Sequence, residues 1–238
     1  MPNHVTNHLT FGPDADAIAA FQKMLKEVQE TGKPLGTFDF NKLIPMPPSL
    51  NIERSSLTDE GLKLYQAYTQ ELAQAGPAGE NLVKRKWAVQ RRNDPMAWAL
   101  GEQAYQNIQK YGCPTWYEWA NQNWGTKWNA YQCKPLSKSD DTMIFLTAWG
   151  AVPNIVATLS RKYPAQTITY RWADENIGYN VGEAVFRSGE CVGLNVPEEG
   201  SPAAYEMAAG ILGVDLSEIC QRHPAVKKTV KANRSKER

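Results

Sequence analysis

Two-residue alternation at both ends of the chain brackets a long middle stretch of helical periodicity, so any sheet must be assembled from segments far apart in sequence. Val5, Asn7, Leu9 and Phe11 alternate as one face of a strand that Gly12-Pro13 closes. Asp14 and Asp16 then favour the positive end of a helix, on which Ile18, Phe21, Leu25 and Val28 share a face before Thr31-Gly32. Thr37-Phe38-Asp39-Phe40, running on to Ile44, predicts a second strand, which leaves into an extended loop at Pro45, Pro47 and Pro48.

The middle stretch is helical by spacing. Leu62, Tyr65 and Leu72 predict a helix from Thr58 to Gln74, with Asp59 and Glu60 in its first turn and Gly76-Pro77 as its stop. Asn81 to Arg92 predicts a short helix, and Asp94-Pro95 opens another that ends at Tyr111-Gly112. Thr115 and Glu118 have capping-box spacing for a further short helix closed at Gly125.

Strand signals then return at Lys127 to Cys133 and in the apolar run Met143 to Trp149, which reads as a central strand. Pro153 to Lys162 predicts a helix. Thr167 to Trp172, Gly178 to Arg187 and Cys191 to Val196 predict a meander about the turn Ser188-Gly189. Ala203 to Leu212 and Leu216 to Gln221 are helical, and the basic end from Val226 to Arg238 is expected to fray.

This order is a split β-α-β pattern and predicts an α+β, ferredoxin-like antiparallel sheet with helices on one face. The expected organisation is one such domain over residues 1–200 with a helical insertion at 50–125, followed by C-terminal helices and a basic tail at 201–238.

Net charge sets limits on partners. Lys and Arg number 26 against 25 Asp and Glu, a formal +1, so any nucleic-acid or membrane binding must come from a local patch. Cys113, Cys133, Cys191 and Cys220 stand apart from one another and from any histidine pair, so they read as free thiols, and no metal or cofactor is expected. No run approaches the roughly 18 apolar residues of a spanning helix, and the first ten residues lack the basic and apolar regions of a leader. The expectation is a cytoplasmic protein of a bacterial host, without membrane association. GxSxG, GxxxxGK[ST] and GxGxxG are all missing, which weakens an enzymatic reading.

Four ordered blocks carry a resemblance. Phe38-Asp39-Phe40-Asn41-Lys42-Leu43-Ile44-Pro45-Met46-Pro47 comes first, and Trp119 with Asn123-Trp124-Gly125-Thr126-Lys127-Trp128-Asn129-Ala130 second. Phe145-Leu146-Thr147-Ala148-Trp149 and Asp174-Glu175-Asn176-Ile177-Gly178 complete the set. They resemble the signatures of the YubB type of ferredoxin-like proteins, an Api-like phage protein family carried by phages and plasmids. The resemblance covers roughly residues 1 to 195. It implies a fold named for its topology, without an iron–sulfur cluster, and it brings no activity. Gly150-Ala151-Val152-Pro153 departs from the Ser-Pro-Pro-like turn expected of the family after Trp149.

Three groups of residues are candidates for function. Residues 116 to 128 hold Trp116, Trp119, Trp124, Trp128 and Tyr117. Trp119, Asn123, Trp124, Lys127 and Trp128 thus form a candidate surface for stacking on a base, a sugar or a partner's side chain. The competing role is packing, with Gly125 ending a helix and Asn123 bonding backbone in the turn. Lys84, Arg85, Lys86, Trp87, Arg91 and Arg92 are a candidate patch for single-stranded nucleic acid, against the commoner role of a solvated helix face. Asp39, Asp174 and Glu175, with Glu183, are a candidate paired-carboxylate or divalent-cation site if the strand ends converge, although turn preference also explains Asp174 and Glu175. His4 and His8 share a strand face about 13 Å apart, too far to chelate one metal. The reading is a non-catalytic accessory protein of a mobile element that binds a host or phage protein, or else single-stranded nucleic acid. The alternative is an enzyme using the acidic residues.

Overall fold

The computed structural model describes residues 3–135 and 141–222. The basic tail from Val226 onward lies outside the described residues. The chain forms two compact units, one drawn from Met1–Pro45 and Asn123–Arg238, the other from Met46–Gln122. The strands are β1 (His4–Thr10), β2 (Tyr131–Pro135), β3 (Thr142–Ala148), β4 (Thr167–Asp174), β5 (Val181–Arg187) and β6 (Glu190–Asn195). The helices are α1 (Ala15–Glu27), α2 (Ser56–Asn93), α3 (Pro95–Tyr111), α4 (Trp116–Asn123), α5 (Pro153–Lys162), α6 (Pro202–Leu212) and α7 (Leu216–Arg222).

In the first unit the strands pair antiparallel in the order β2-β3-β1-β4-β5-β6. The first four strands with α1 and α5 follow β-α-β-β-α-β, which is the ferredoxin-like fold, and β5 and β6 extend the sheet as a meander. Alternation decides the faces. Val5, Asn7 and Leu9 are wholly buried, together with Phe145 and Tyr170 of the neighbouring strands, whereas Thr6 and His8 on the other face are partly exposed. Phe11 meets Phe21 of α1 and Tyr163 after α5 edge to face, at 5.8 and 5.5 Å, which ties both helices to the buried face. Ala204, Ala208 and Ile211 of α6 pack on Ala173 and Val181, so the second face is partly covered as well.

The second predicted strand is not a strand. The Asp39 amide donates to the Val28 carbonyl, and the Asp39 side chain caps a single 3-10 turn at Phe40–Lys42. The Phe40 amide bonds the Asn129 side chain instead of a ladder partner, and Phe38 and Phe40 turn their rings edge-on to Phe145. Alternating aromatics that would suit a pleat serve here as core wedges, buried against one another and against Phe145. The vacant place in the fold is filled from later in the chain by β2. That strand starts at Tyr131 rather than Lys127, since the Thr126 hydroxyl bonds both the amide and the carbonyl of Ala148 and occupies the β3 edge.

In the second unit, α2 holds both predicted helices, joined across a break at Gly76 (φ 59°, ψ −172°) before Pro77. Backbones of α2 and α3 come together at Gly61 and Gly101, where a β-carbon on either would sit 2.0 Å from backbone oxygen of the other helix. Tyr65, Tyr68, Trp87 and Trp98 form an aromatic cluster between these helices, with ring centroids 5.2 to 6.1 Å apart.

Candidate functional site

The strand ends on one side of the sheet surround a cavity of about 600 Å³. Asn3 before β1, Trp149 after β3, and Trp172 and Asp174 of β4 line one part of it. Tyr179, Asn180 and Val181 at the start of β5 line another, and Val196, Pro197 and Glu199 after β6 complete the wall. Its size falls in the range of small-ligand sites, but it is an open cleft, and with Asn176 five of its eleven lining residues are polar or charged, more than the mostly apolar lining usual for such sites. Trp149 and Tyr179 stay 46% and 41% exposed. Trp172 stacks on Tyr170 at 5.3 Å and spreads over Gly182, where a β-carbon would lie 2.3 Å from the indole.

Trp149 adopts φ 68° and Asn180 φ 43°, left-handed conformations that are rare for a bulky aromatic and tolerated by asparagine. The surroundings fix this conformation. The Trp149 amide donates to the Asn3 carbonyl at 3.0 Å, and the Trp149 carbonyl accepts from the Asn180 side chain at 3.1 Å. The Gly150 carbonyl accepts from the Thr147 hydroxyl at 2.7 Å, and the Val152 amide donates to the Tyr170 hydroxyl at 2.8 Å. Beneath these lies Asn7. Its amide nitrogen donates to Val5, Phe145 and Thr147, and its oxygen accepts from the Tyr170 hydroxyl at 2.6 Å. Burial holds the Tyr170 phenol far above its ordinary pKa, so it remains a neutral donor. Strain of this kind gathers at binding and catalytic sites, where the fold over-determines it.

Asp174 is buried at the rim of the cavity. It accepts from the Asn3 side chain at 3.1 Å, from the Asn176 amide at 2.8 Å and from the Asn180 side chain at 3.3 Å. Beside the cavity, the Lys127 ammonium lies 5.2 Å from the centroid of Trp149 and 4.6 Å from that of Trp128.

The aromatic candidates separate. Trp119 and Trp124 are only 7% and 5% exposed, and the Trp124 indole donates to the Ile44 carbonyl and meets Phe40 edge-on. Neither ring presents a face to a partner, which corrects their inclusion in an exposed surface: two wide apolar rings were drawn into cores. The Asn123 carbonyl accepts from the Asn154 side chain. Lys127 and Trp128, 40% exposed, reach the surface next to Trp149.

The acidic candidates do not gather. Asp39 accepts from Asn41 in its own turn and from the distant Asn129 side chain, Glu175 is exposed, and among the described residues no group of three His, Cys, Asp or Glu is placed to hold a metal. In the basic segment Lys84 pairs with Glu80, Lys86 pairs with Glu71, and the Trp87 indole donates to Glu71 at 2.8 Å. Arg85, Arg91 and Arg92 are exposed, but the patch is less positive than its sequence, because acids one helical turn or one helix pass away are folded against it.

Trp149, Trp172 and Tyr179 were not sequence candidates. Trp149 ends an apolar run and reads as core, and the signal against that reading is the adjacent Gly150: an aromatic at a strand end followed by glycine marks a sharp departure of the chain from the sheet.

A family model agrees with the topology of the sheet unit. Residues 123–215 match the family model of a ferredoxin-like domain in Api92-like protein. Three of the four resemblance blocks begin within that range or extend through it, and the Phe38 block lies outside. The crystal structure of a protein api92 from Yersinia pseudotuberculosis is similar over 84% of this chain and 99% of its own, at 11% identity and a TM-score of 0.34. No curated protein matches the chain. Among the described residues, no helix is long and apolar enough to cross a membrane.

Proposed function

We propose that the chain is a non-catalytic accessory protein of a mobile genetic element, which binds a host or phage protein at the cavity on the strand ends around Trp149. The observation that carries this reading is the Trp149 indole, 46% exposed on a backbone held at φ 68° by hydrogen bonds to Asn3 before β1 and Asn180 before β5. A chain optimised only for stability would place glycine or asparagine at such a backbone position and a polar side chain at such a surface. The assignment to a mobile element rests on the resemblance of the four sequence blocks. The helical unit is read as an insertion in the single ferredoxin-like domain.

The test is affinity capture from infected or plasmid-bearing cells with the full chain. Trp149→Ala and Lys127→Ala/Trp128→Ala are compared with wild type and with Leu82→Ala, an exposed site in the helical unit. A partner held by wild type and Leu82→Ala and lost by Trp149→Ala is expected. A folded Trp149→Ala protein that keeps every partner overturns the reading. Capture of single-stranded nucleic acid alone, with affinity falling steeply as salt rises, would move the function to the Lys84–Arg92 face and equally overturn it.

A further inference from the structure

Resting on that reading, we infer that the cavity recognises an arginine side chain of the partner, its guanidinium stacked on the Trp149 and Tyr179 rings and bonded by Glu199. The lining contains three aromatic residues and two acids, Asp174 and Glu199, and no Lys, Arg or His. In a chain with nearly equal numbers of acids and bases, a concave site of one sign is a statement about its ligand. The neighbouring contact points the same way: this fold already sets an ammonium, that of Lys127, against the Trp149 indole. The ring takes a cation where the geometry allows one.

The choice of guanidinium follows from the shape and the acceptors. A planar, weakly hydrated group stacks on indole and phenol faces, and its donors need several acceptors around one plane. Glu199 is exposed at the mouth, whereas the Asp174 carboxylate is already met by Asn3, Asn176 and Asn180. Asp174 therefore orders the amides of the wall and adds negative charge, and Glu199 supplies the direct bidentate contact. An acidic or phosphorylated ligand meets two carboxylates in the lining, and the nearest base, Lys127, lies beside the cavity with its ammonium set against the Trp149 and Trp128 rings.

The probe is a glycine-flanked pentapeptide with a central arginine, titrated into the full chain while the indole N–H resonances are followed. A peptide with citrulline in place of arginine preserves shape and removes charge, and tetramethylammonium tests a free cation. Saturation by the arginine peptide is expected, about tenfold weaker with citrulline and about tenfold weaker in Glu199→Gln and Trp149→Ala, each checked for native circular dichroism. Leu82→Ala should bind as wild type. Equal binding of citrulline overturns the cation assignment while leaving the cavity as a partner site. Tighter binding of tetramethylammonium than of the arginine peptide overturns the protein source. Silence toward all three probes, or binding unchanged in Glu199→Gln and Trp149→Ala, overturns the inference, and the capture experiment then decides the broader reading separately.

Discussion

Gly125 and Gly150 meet backbone to backbone, so closely that a β-carbon on Gly150 would lie 2.2 Å from the Gly125 carbonyl oxygen. A β-carbon on Gly125, at φ 84°, would in turn lie 2.7 Å from the Ala151 oxygen. Two segments apart in sequence are thereby clamped just beneath Trp149, and neither glycine can accept a side chain without moving the chain that carries the indole.

Gly150→Ala is therefore expected to destabilise the sheet unit by about 1–3 kcal/mol, the usual consequence of overpacking against backbone. Urea unfolding measures it. The same variant should shift the Trp149 indole N–H resonance in the folded protein, and an unchanged spectrum with unchanged stability would disprove the clamp.

Tyr170→Phe removes one hydroxyl from the fully buried network below that loop. The Val152 amide and the Asn7 oxygen lose their partner, at a cost of about 1–3 kcal/mol, because buried polar groups without a bond keep their desolvation penalty. Thr10→Val is the comparison, since its hydroxyl bonds Thr142 at the partly exposed end of β1 and should cost less. Equal losses in the two variants would argue against the network as the support of Trp149.

The sheet was legible because alternation survives in isolated strands: Val5, Asn7 and Leu9 announce their face without reference to any neighbour. Helix ends were legible for the same local reason, with Asp14 and Asp94 bonding and Gly112 turning at the predicted places. Phe38-Asp39-Phe40 misled because a pleat and an aromatic wedge share the same spacing, and what separates them is a long-range partner, the Asn129 side chain that takes the Phe40 amide. The cavity was hidden for a deeper reason. Its wall is built from the ends of five strands whose order in space is not their order in sequence, and Trp149 contributes through a backbone angle that residue type argues against.

Trp124 and Trp128 lie four residues apart and should behave oppositely. Trp124→Ala deletes a buried indole that packs on Phe40 and bonds the Ile44 carbonyl, and should cost about 3–5 kcal/mol. Trp128→Ala removes an exposed ring and should stay within about 0.5 kcal/mol of wild type by denaturant unfolding. Comparable losses would mean that both rings are core and that the exposed surface beside Trp149 does not include Trp128.

His8 supplies a pH dependence with a definite sign. Desolvation first, and then the Arg171 charge, lower its pKa below the ordinary 6.5. Arg171 stands opposite His8 in the β1–β4 register and pairs with Glu183 on β5, while Lys134 of β2 lines the same cavity of about 590 Å³ on this second face. The charges nearest the imidazole are thus mainly positive, and Glu183 is already engaged. Below 6.5 the unfolded chain takes a proton at His8 that the folded protein accepts only at lower pH, so the unfolded state holds more protons through that window. Stability from this group is complete above 6.5 and is lost as the pH falls below it. Measured as the difference in unfolding free energy between wild type and His8→Gln, the wild-type advantage should shrink on acidification and level off near neutrality. Growth of that difference toward acid pH would mean that the imidazolium is stabilised in the fold, with Glu183 turned to it and away from Arg171.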